Sequence, residues 1–218
     1  MNYSLVIIGV LFIVILYLLY VYMFDTSTEL KDFVKIDNAI NIDVASHSST
    51  RYAYGVWVYL GQWDNNNKVI YTHGQDATGN LLGGKLELSA ATPTLKYSVQ
   101  TTDNGNQQIT VMDNFPVQKW SHIIVSVDNN IVDFYLDGKL VRSANMGNVS
   151  APSSESVTLG AISNAHIARF TRWTSPLNPQ AAYDVYMQGN GQTGMLPSYG
   201  MDVSLFKDNI EQSKFKLF

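Results

Sequence analysis

The run from Leu5 to Phe24, LVIIGVLFIVILYLLYVYMF, carries no charged side chain over about twenty residues. It restricts the fold more than any other feature of the chain, because a helix apolar on every side must be surrounded either by a large helical core or by lipid. At roughly 1.5 Å rise per residue the run is about 30 Å long as a helix, the thickness of a bilayer's hydrocarbon core. Most of its residues are Leu, Ile, Val or Phe, each worth roughly −0.3 to −0.6 kcal/mol on the insertion scale, so insertion is favoured by several kcal/mol. Tyr3 at one end and Tyr17, Tyr20 and Tyr22 at the other suit the aromatic belts of the two interfaces. The reading is a single-pass anchor over residues 1–24, with Leu5, Ile8, Phe12, Ile15, Leu19 and Phe24 among the lipid-facing residues. A cleaved signal peptide needs a basic start, a shorter apolar segment and a small-residue cleavage site. Met1 to Ser4 has no Lys or Arg, and the exit Tyr20 to Asp25 is bulky. The flanks hold too little basic charge to orient the span.

About 195 residues follow, enough for one good-sized core. Net charge is −4 with Lys and Arg scattered, so the basic footprint of a nucleic-acid binder is missing and nucleic acid is not an expected partner. There is no cysteine, which removes disulfides and thiolate metal sites and weakly favours a reducing compartment. Asn148-Val149-Ser150 is a glycosylation triplet of a kind common by chance.

Beyond the anchor, residues 25–38 read as a polar stalk, with a short helical continuation as one form of it. Ile40, Ile42 and Val44 alternate as a first strand, giving a unit of stalk and strand over 25–44. From Tyr52 the period-two signal is strong: Tyr52, Tyr54, Val56, Val58 and Leu60 share one face, and Ala53, Gly55, Trp57 and Tyr59 the other. Further strands are expected at 68–73, 85–89, 94–101, 108–112, 120–127, 132–136, 139–143, 157–161 and 166–173, separated by turn signals as in a sandwich. Asp128-Asn129-Asn130 and Asp137-Gly138 accept the positive φ of tight hairpins. One helix is expected from Asn178 as N-cap and Pro179 as first residue to a stop at Gly189. Residues 45–190 form the sandwich domain in this reading, and 191–218 an arm packing back on it or on a neighbour.

Three segments carry a family resemblance: Tyr54-Gly55-Val56-Trp57-Val58-Tyr59-Leu60, Trp120-Ser121-His122 with the apolar run to Val127, and Val132-Asp133-Phe134-Tyr135-Leu136-Asp137-Gly138. With Val157-Thr158-Leu159-Gly160 and the ending Arg169 to Trp173, Leu177-Asn178-Pro179, the chain resembles the laminin-G-like, concanavalin A-like lectin/glucanase domain over roughly 44–188. The resemblance implies an all-β, antiparallel two-sheet jelly roll with one short C-terminal helix. Taken with the N-terminal anchor, the loop Trp63 to Lys68, Asn114-Phe115-Pro116 and Lys207-Asp208-Asn209 resemble membrane-anchored members encoded by large icosahedral DNA viruses. That implies a minor capsid or virion membrane protein, located at the inner membrane and facing the capsid.

The chemistry of the fold's enzymes is missing. Glucanases of this family resemble one another in a Glu-x-Asp-x-x-Glu strand, whose carboxylates sit about 5 to 5.5 Å apart. This chain has only Glu29, Glu87, Glu155 and Glu211, none so spaced, and no catalytic residue is expected. His47, His73, His122 and His166 lack the spacing of a metal site. Asp64 to Lys68 resembles a calcium loop only superficially, with Val69 where Gly is needed and Gln75 where Glu is needed. Some laminin-G domains hold calcium at the rim, and Asp64, Asp103 and Asp113 are the residues available for it; the expectation is no cofactor and no metal. Trp57, Trp120 and Trp173 lie in strand patterns and read as packing, whereas Trp63, in a polar loop beside Asp64, is the expected contact to a partner or glycan. The function expected is a non-enzymatic structural protein linking a membrane to capsid or other virion proteins; the alternative is a membrane-anchored glycan-binding module for attachment or adhesion.

Overall fold

A computed structural model of the chain describes residues 3–24, 26–45, 47–191, 202–207 and 210–216, with side chains described for 7–19, 26–45 and 47–191. It is an all-β two-sheet sandwich preceded by one helix and closed by another.

Helix α1 (Tyr3–Phe24) covers 22 residues. Among the described residues no helix is long and apolar enough to cross a membrane. Side chains are described over 7–19 only, which at roughly 1.5 Å per residue is about 20 Å against a hydrocarbon core of about 30 Å. The transmembrane span expected at Leu5–Phe24 is therefore not shown, and the side chains of Leu5 and Phe24 lie outside the described residues. Ile8, Phe12, Ile15 and Leu19 are all exposed in the isolated chain.

One sheet contains β1 (Ser27–Lys31), β2 (Val34–Lys35), β4 (Arg51–Leu60), β9 (Trp120–Asp128), β10 (Ile131–Leu136), β11 (Lys139–Asn145) and β13 (Ala165–Trp173). Its order is β1-β13-β4-β9-β10-β11, with β2 also on β13. The other contains β3 (Ile40–Asp43), β5 (Lys68–Thr72), β6 (Gly84–Leu88), β7 (Leu95–Thr101), β8 (Gly105–Met112) and β12 (Ser156–Leu159), in the order β3-β12-β5-β6-β7-β8. We call them sheets A and B. Every described pairing is antiparallel.

The alternation in β4 does what its pattern dictates. Tyr52, Tyr54, Val56, Val58 and Leu60 enter the core between the sheets, against Leu86, Leu88, Tyr97 and Val99 of sheet B. Phe170 stacks on Tyr54 at 5.6 Å, and Phe134 meets Tyr97 edge-on at 5.4 Å. The expected hairpin turns have the positive φ their residues permit, at Asn129 (56°), Asp137 (47°) and Gly138 (75°). Helix α2 (Pro179–Met187) is capped by Asn178, whose side chain accepts from the Ala181 amide at 2.8 Å. It lies on the outer face of sheet A, over a second cluster of Ala53, Ile124, Tyr135, Trp173 and Ala182.

The stalk differs from expectation. Residues 27–35 are not a free stalk: β1 pairs with β13 from Ser27↔Trp173 to Lys31↔Phe170, and β2 pairs Lys35 with His166. Their polar composition reflects an edge position, where one face is wet. In the C-terminal arm, β14 (Asp202–Lys207) and β15 (Ile210–Lys216) form a two-stranded antiparallel hairpin; the arm's remaining residues, and all its side chains, lie outside the described residues.

Candidate functional site

The outer face of sheet A is built from rows that the register sets. β13, β4 and β9 place His166, Tyr59 and Trp120 in one cross-strand line, and Ala168, Trp57 and His122 in the next. These rows have different roofs. Over Trp57 and His122 lies α2, whose Tyr186 stacks on Trp57 at 5.5 Å and 21°, leaving Trp57 only 4% exposed. Over the other row comes Phe33, from the short link between β1 and β2, stacked on His166 at 5.5 Å and 19° and tilted against Trp120 at 6.1 Å. Tyr59 completes the group, 5.6 Å from Trp120 and 6.3 Å from His166. The four rings line a shallow hollow of about 280 Å³. Phe33 is 42% exposed and the other three are half-buried.

Ion pairs stand at both flanks. Lys35, the register partner of His166, holds Asp37 at 2.7 Å, and the Asn164 amide donates to the same carboxylate. The hydrogen bond from Lys35 is the main reason that the Asp37 carboxyl stays below its ordinary pKa. Beside Trp120, Lys119 holds Asp137 at 3.0 Å, while the other oxygen of Asp137 accepts from the His122 amide at 2.8 Å.

A smaller cleft of about 110 Å³ lies under α2, lined by Glu29, Trp57, His122, Arg169, Trp173 and Gln188 among others. Arg169 sits at positive φ (47°) in the bulge of β13 and donates to the Gln188 and Gly189 carbonyls, a cation at the negative end of the helix. The His122 ring is buried and its Nδ1 has no partner; burial pushes its pKa down to about 3, so the imidazole is neutral. His73 is also neutral. Its Nε2 donates to the Ser154 carbonyl at 3.0 Å, leaving Nδ1 to accept from the Tyr54 hydroxyl at 3.0 Å, and burial lowers its pKa to about 4.

The outer face of sheet B is largely polar. Asn41, Thr158, Thr72, Lys85, Ser98 and Gln108 form one unbroken row across all six strands. Two carboxylates point outward near it, Asp43 on β3 and Glu87 on β6. Three strand spacings separate these strands, about 14 Å, beyond the roughly 5 to 9.5 Å of a glycosidase pair. Glu87 is also held by Lys85 at 2.8 Å and Gln108 at 3.3 Å. Among the described residues no group of three or more His, Asp or Glu side chains could hold a metal ion.

Trp63 and Asp64, the contacts expected from sequence, are placed in a self-contained loop. Trp63 is half-buried against the core with its Nε1 enclosed, and the Lys68 ammonium lies 4.2 Å from its ring centre. The same ammonium pairs with the Asp64 carboxylate and donates to the Asp64 and Asn66 carbonyls at 2.7 Å. A lysine thus occupies the centre of the loop's oxygens, where a calcium loop would hold its ion. Asp103 and Asp113 bond instead to Asn148 and Thr94. Sequence reading missed the exposed platform: Trp120 reads as strand packing and Phe33 as stalk, and only the pairing of β4 with β9 and β13 puts the rings side by side.

Comparison with known proteins agrees with this architecture. No curated protein matches the sequence. Among solved structures, the chain is similar to the botulinum neurotoxin serotype D ligand binding domain in complex with N-acetylneuraminic acid, at 14% identity and TM-score 0.58, covering 78% of this chain and 45% of that one. It is similar to the botulinum neurotoxin serotype G binding domain at 15% identity and TM-score 0.56, with 74% and 46% covered. The binding domain of Paraclostridial Mosquitocidal Protein 1 matches at 11% identity and TM-score 0.58, with 74% and 47% covered. At such identities the likeness is one of fold, and the chain spans less than half the length of each of these structures. A family match covers residues 34–184, well over half of the 218 residues. With the two-sheet sandwich, that match establishes that the chain belongs to the concanavalin A-like lectin/glucanases superfamily.

Proposed function

We propose that this protein is a non-enzymatic binding module held at a membrane surface by α1. One observation carries the reading: α1 presents Ile7, Ile8, Val10, Phe12, Ile13 and Leu16, on all sides of the helix, to the surroundings of the isolated chain, while neither core cluster of the sandwich includes an α1 residue among those described. A helix of this kind needs lipid or an equivalent apolar sheath. Its 22 residues give about 33 Å at 1.5 Å each, and β1 starts at Ser27, close behind Phe24. The sandwich then works next to the bilayer, where confinement raises its effective concentration for partners in the same layer. The setting we propose is a virion inner membrane beneath an icosahedral shell, with capsid proteins as partners; its support is the resemblance to membrane-anchored viral members of the family. Cross-linking mass spectrometry on purified particles tests it. Cross-links from sandwich lysines such as Lys96 and Lys139 to capsid proteins are expected, and abundance in host membranes without any such cross-link overturns the setting.

A second reading, a glycan-binding module on the same anchor, is favoured by the exposed ring platform on sheet A. One of the similar structures, the botulinum neurotoxin serotype D ligand binding domain, is a complex with N-acetylneuraminic acid, which concerns that protein and gives this reading a class of ligand to try.

A further inference from the structure

We propose that the cleft under α2 binds the headgroup of a phospholipid that bears a primary ammonium, with Glu29 taking the ammonium and Arg169 the phosphate. The inference rests on the reading of α1 as a bilayer anchor and adds to it a lipid that the sandwich itself holds.

Position selects the class of ligand. Ser27 lines the cleft, and it opens β1 only three residues after Phe24, the last residue of α1. Three residues span at most about 10 Å. The polar headgroup region beyond the hydrocarbon core is roughly 5–8 Å deep on each side of a bilayer. A chain anchored through α1 therefore carries this part of the sandwich at headgroup level.

The lining selects the pattern of charge. Glu29 and Arg169 are its charged residues among those described, and both side chains are partly exposed. The outer nitrogens of Arg169 are bonded to Gln188 and Gly189, which fixes the guanidinium. Its Nε lies 3.9 Å from the Glu29 carboxylate, too far for a hydrogen bond, so the pair is open to an occupant. Trp57, Trp173 and His122 are buried behind it. Aromatic rings favour a cation, and burial keeps His122 neutral, so it adds no positive charge. A simple amine would meet the repulsion of Arg169, whereas a headgroup brings that guanidinium its phosphate. Two opposite charges side by side thus match a zwitterion with a short link between its ends.

Size selects the amine. The cleft of about 110 Å³ has room for about four waters at roughly 30 Å³ each. That admits an aminoethyl end and excludes the bulkier trimethylammonium end.

The test places the full chain in nanodiscs of phosphatidylcholine with and without phosphatidylethanolamine, and native mass spectrometry identifies the lipid retained on the protein. Phosphatidylethanolamine is expected to be retained about tenfold or more over phosphatidylcholine, and Glu29→Gln is expected to abolish the preference. Glu155→Gln, the same change of charge beside β12 of the opposite sheet, is expected to keep it. Near-UV circular dichroism confirms that each variant is folded. Equal retention of the two lipids by folded wild-type chain in the discs overturns the site and leaves the anchor standing. A preference that survives Glu29→Gln in folded protein overturns the site as well. Folded chain that does not enter the discs overturns the anchor reading and the site with it. Displacement of the lipid by an equal concentration of soluble phosphoethanolamine assigns the cleft to a free ligand and overturns the lipid proposal.

Discussion

Mild acid is expected to destabilise the sandwich through His73 and His122. His73 ties the sheets: its ring bonds Tyr54 of β4 on one side and the Ser154 carbonyl on the other. His122 is sealed under α2 against Trp57. Burial lowers their pKa to about 4 and about 3 respectively, from 6.5. Both folded values lie below the unfolded one, so the unfolded chain binds protons first. Stability is full above about pH 6.5, falls as the pH drops toward 4 and 3, and loses nothing more from these groups below that. At pH 5 each imidazole is charged when unfolded and neutral when folded, at a cost of about 2 kcal/mol apiece relative to pH 7.5. The combined loss of about 4 kcal/mol is a large part of the roughly 5–15 kcal/mol that a domain has. Urea unfolding of the detergent-solubilised chain at pH 7.5, 6.0 and 5.0 reads this as a falling midpoint, and His122→Leu is expected to halve the slope. A midpoint constant from pH 7.5 to 5, or an imidazole resonance of either histidine titrating near 6.5, would refute the reasoning.

Phe134→Ala, at a fully buried position edge-on to Tyr97 across the two sheets, is expected to cost about 3–5 kcal/mol in chemical denaturation. Gly55→Ala puts a methyl 2.8 Å from the Trp173 ring; displacement of that indole is expected to cost about 1–3 kcal/mol and to alter near-UV circular dichroism. Asn178→Ala removes the cap of α2, and a loss of about 1 kcal/mol should appear as faster hydrogen exchange confined to the first turn of that helix.

The sandwich was legible because one face of β4 meets the inter-sheet core and the other meets α2 and the outer rings, and the different residues these two surroundings take, Tyr52, Tyr54, Val56, Val58 and Leu60 against Ala53, Gly55, Trp57 and Tyr59, alternate along a strand buried on both sides. Turn chemistry was legible at Asn129 and at Asp137-Gly138, where few residues tolerate positive φ. The strands at 27–35 were hidden because an edge strand with one wet face, STELK, carries no such period. The ring platform was hidden for another reason. Phe33, Tyr59, Trp120 and His166 come from distant parts of the chain, and which side of a sheet a helix roofs is decided by tertiary packing. The surroundings of Trp63 were hidden as well: a tryptophan in a polar loop looks open, whereas Lys68 folds over this one and fills the loop with its own cation.

Flotation tests the central claim, a sandwich tethered to a bilayer through α1, most directly. Full-length chain made in the presence of liposomes is expected to rise with them in a density gradient and to resist alkaline carbonate, and Phe12→Lys combined with Ile15→Lys is expected to leave the folded sandwich at the bottom. Wild-type chain that stays at the bottom while folded, or a double variant that floats as well as wild type, would contradict it.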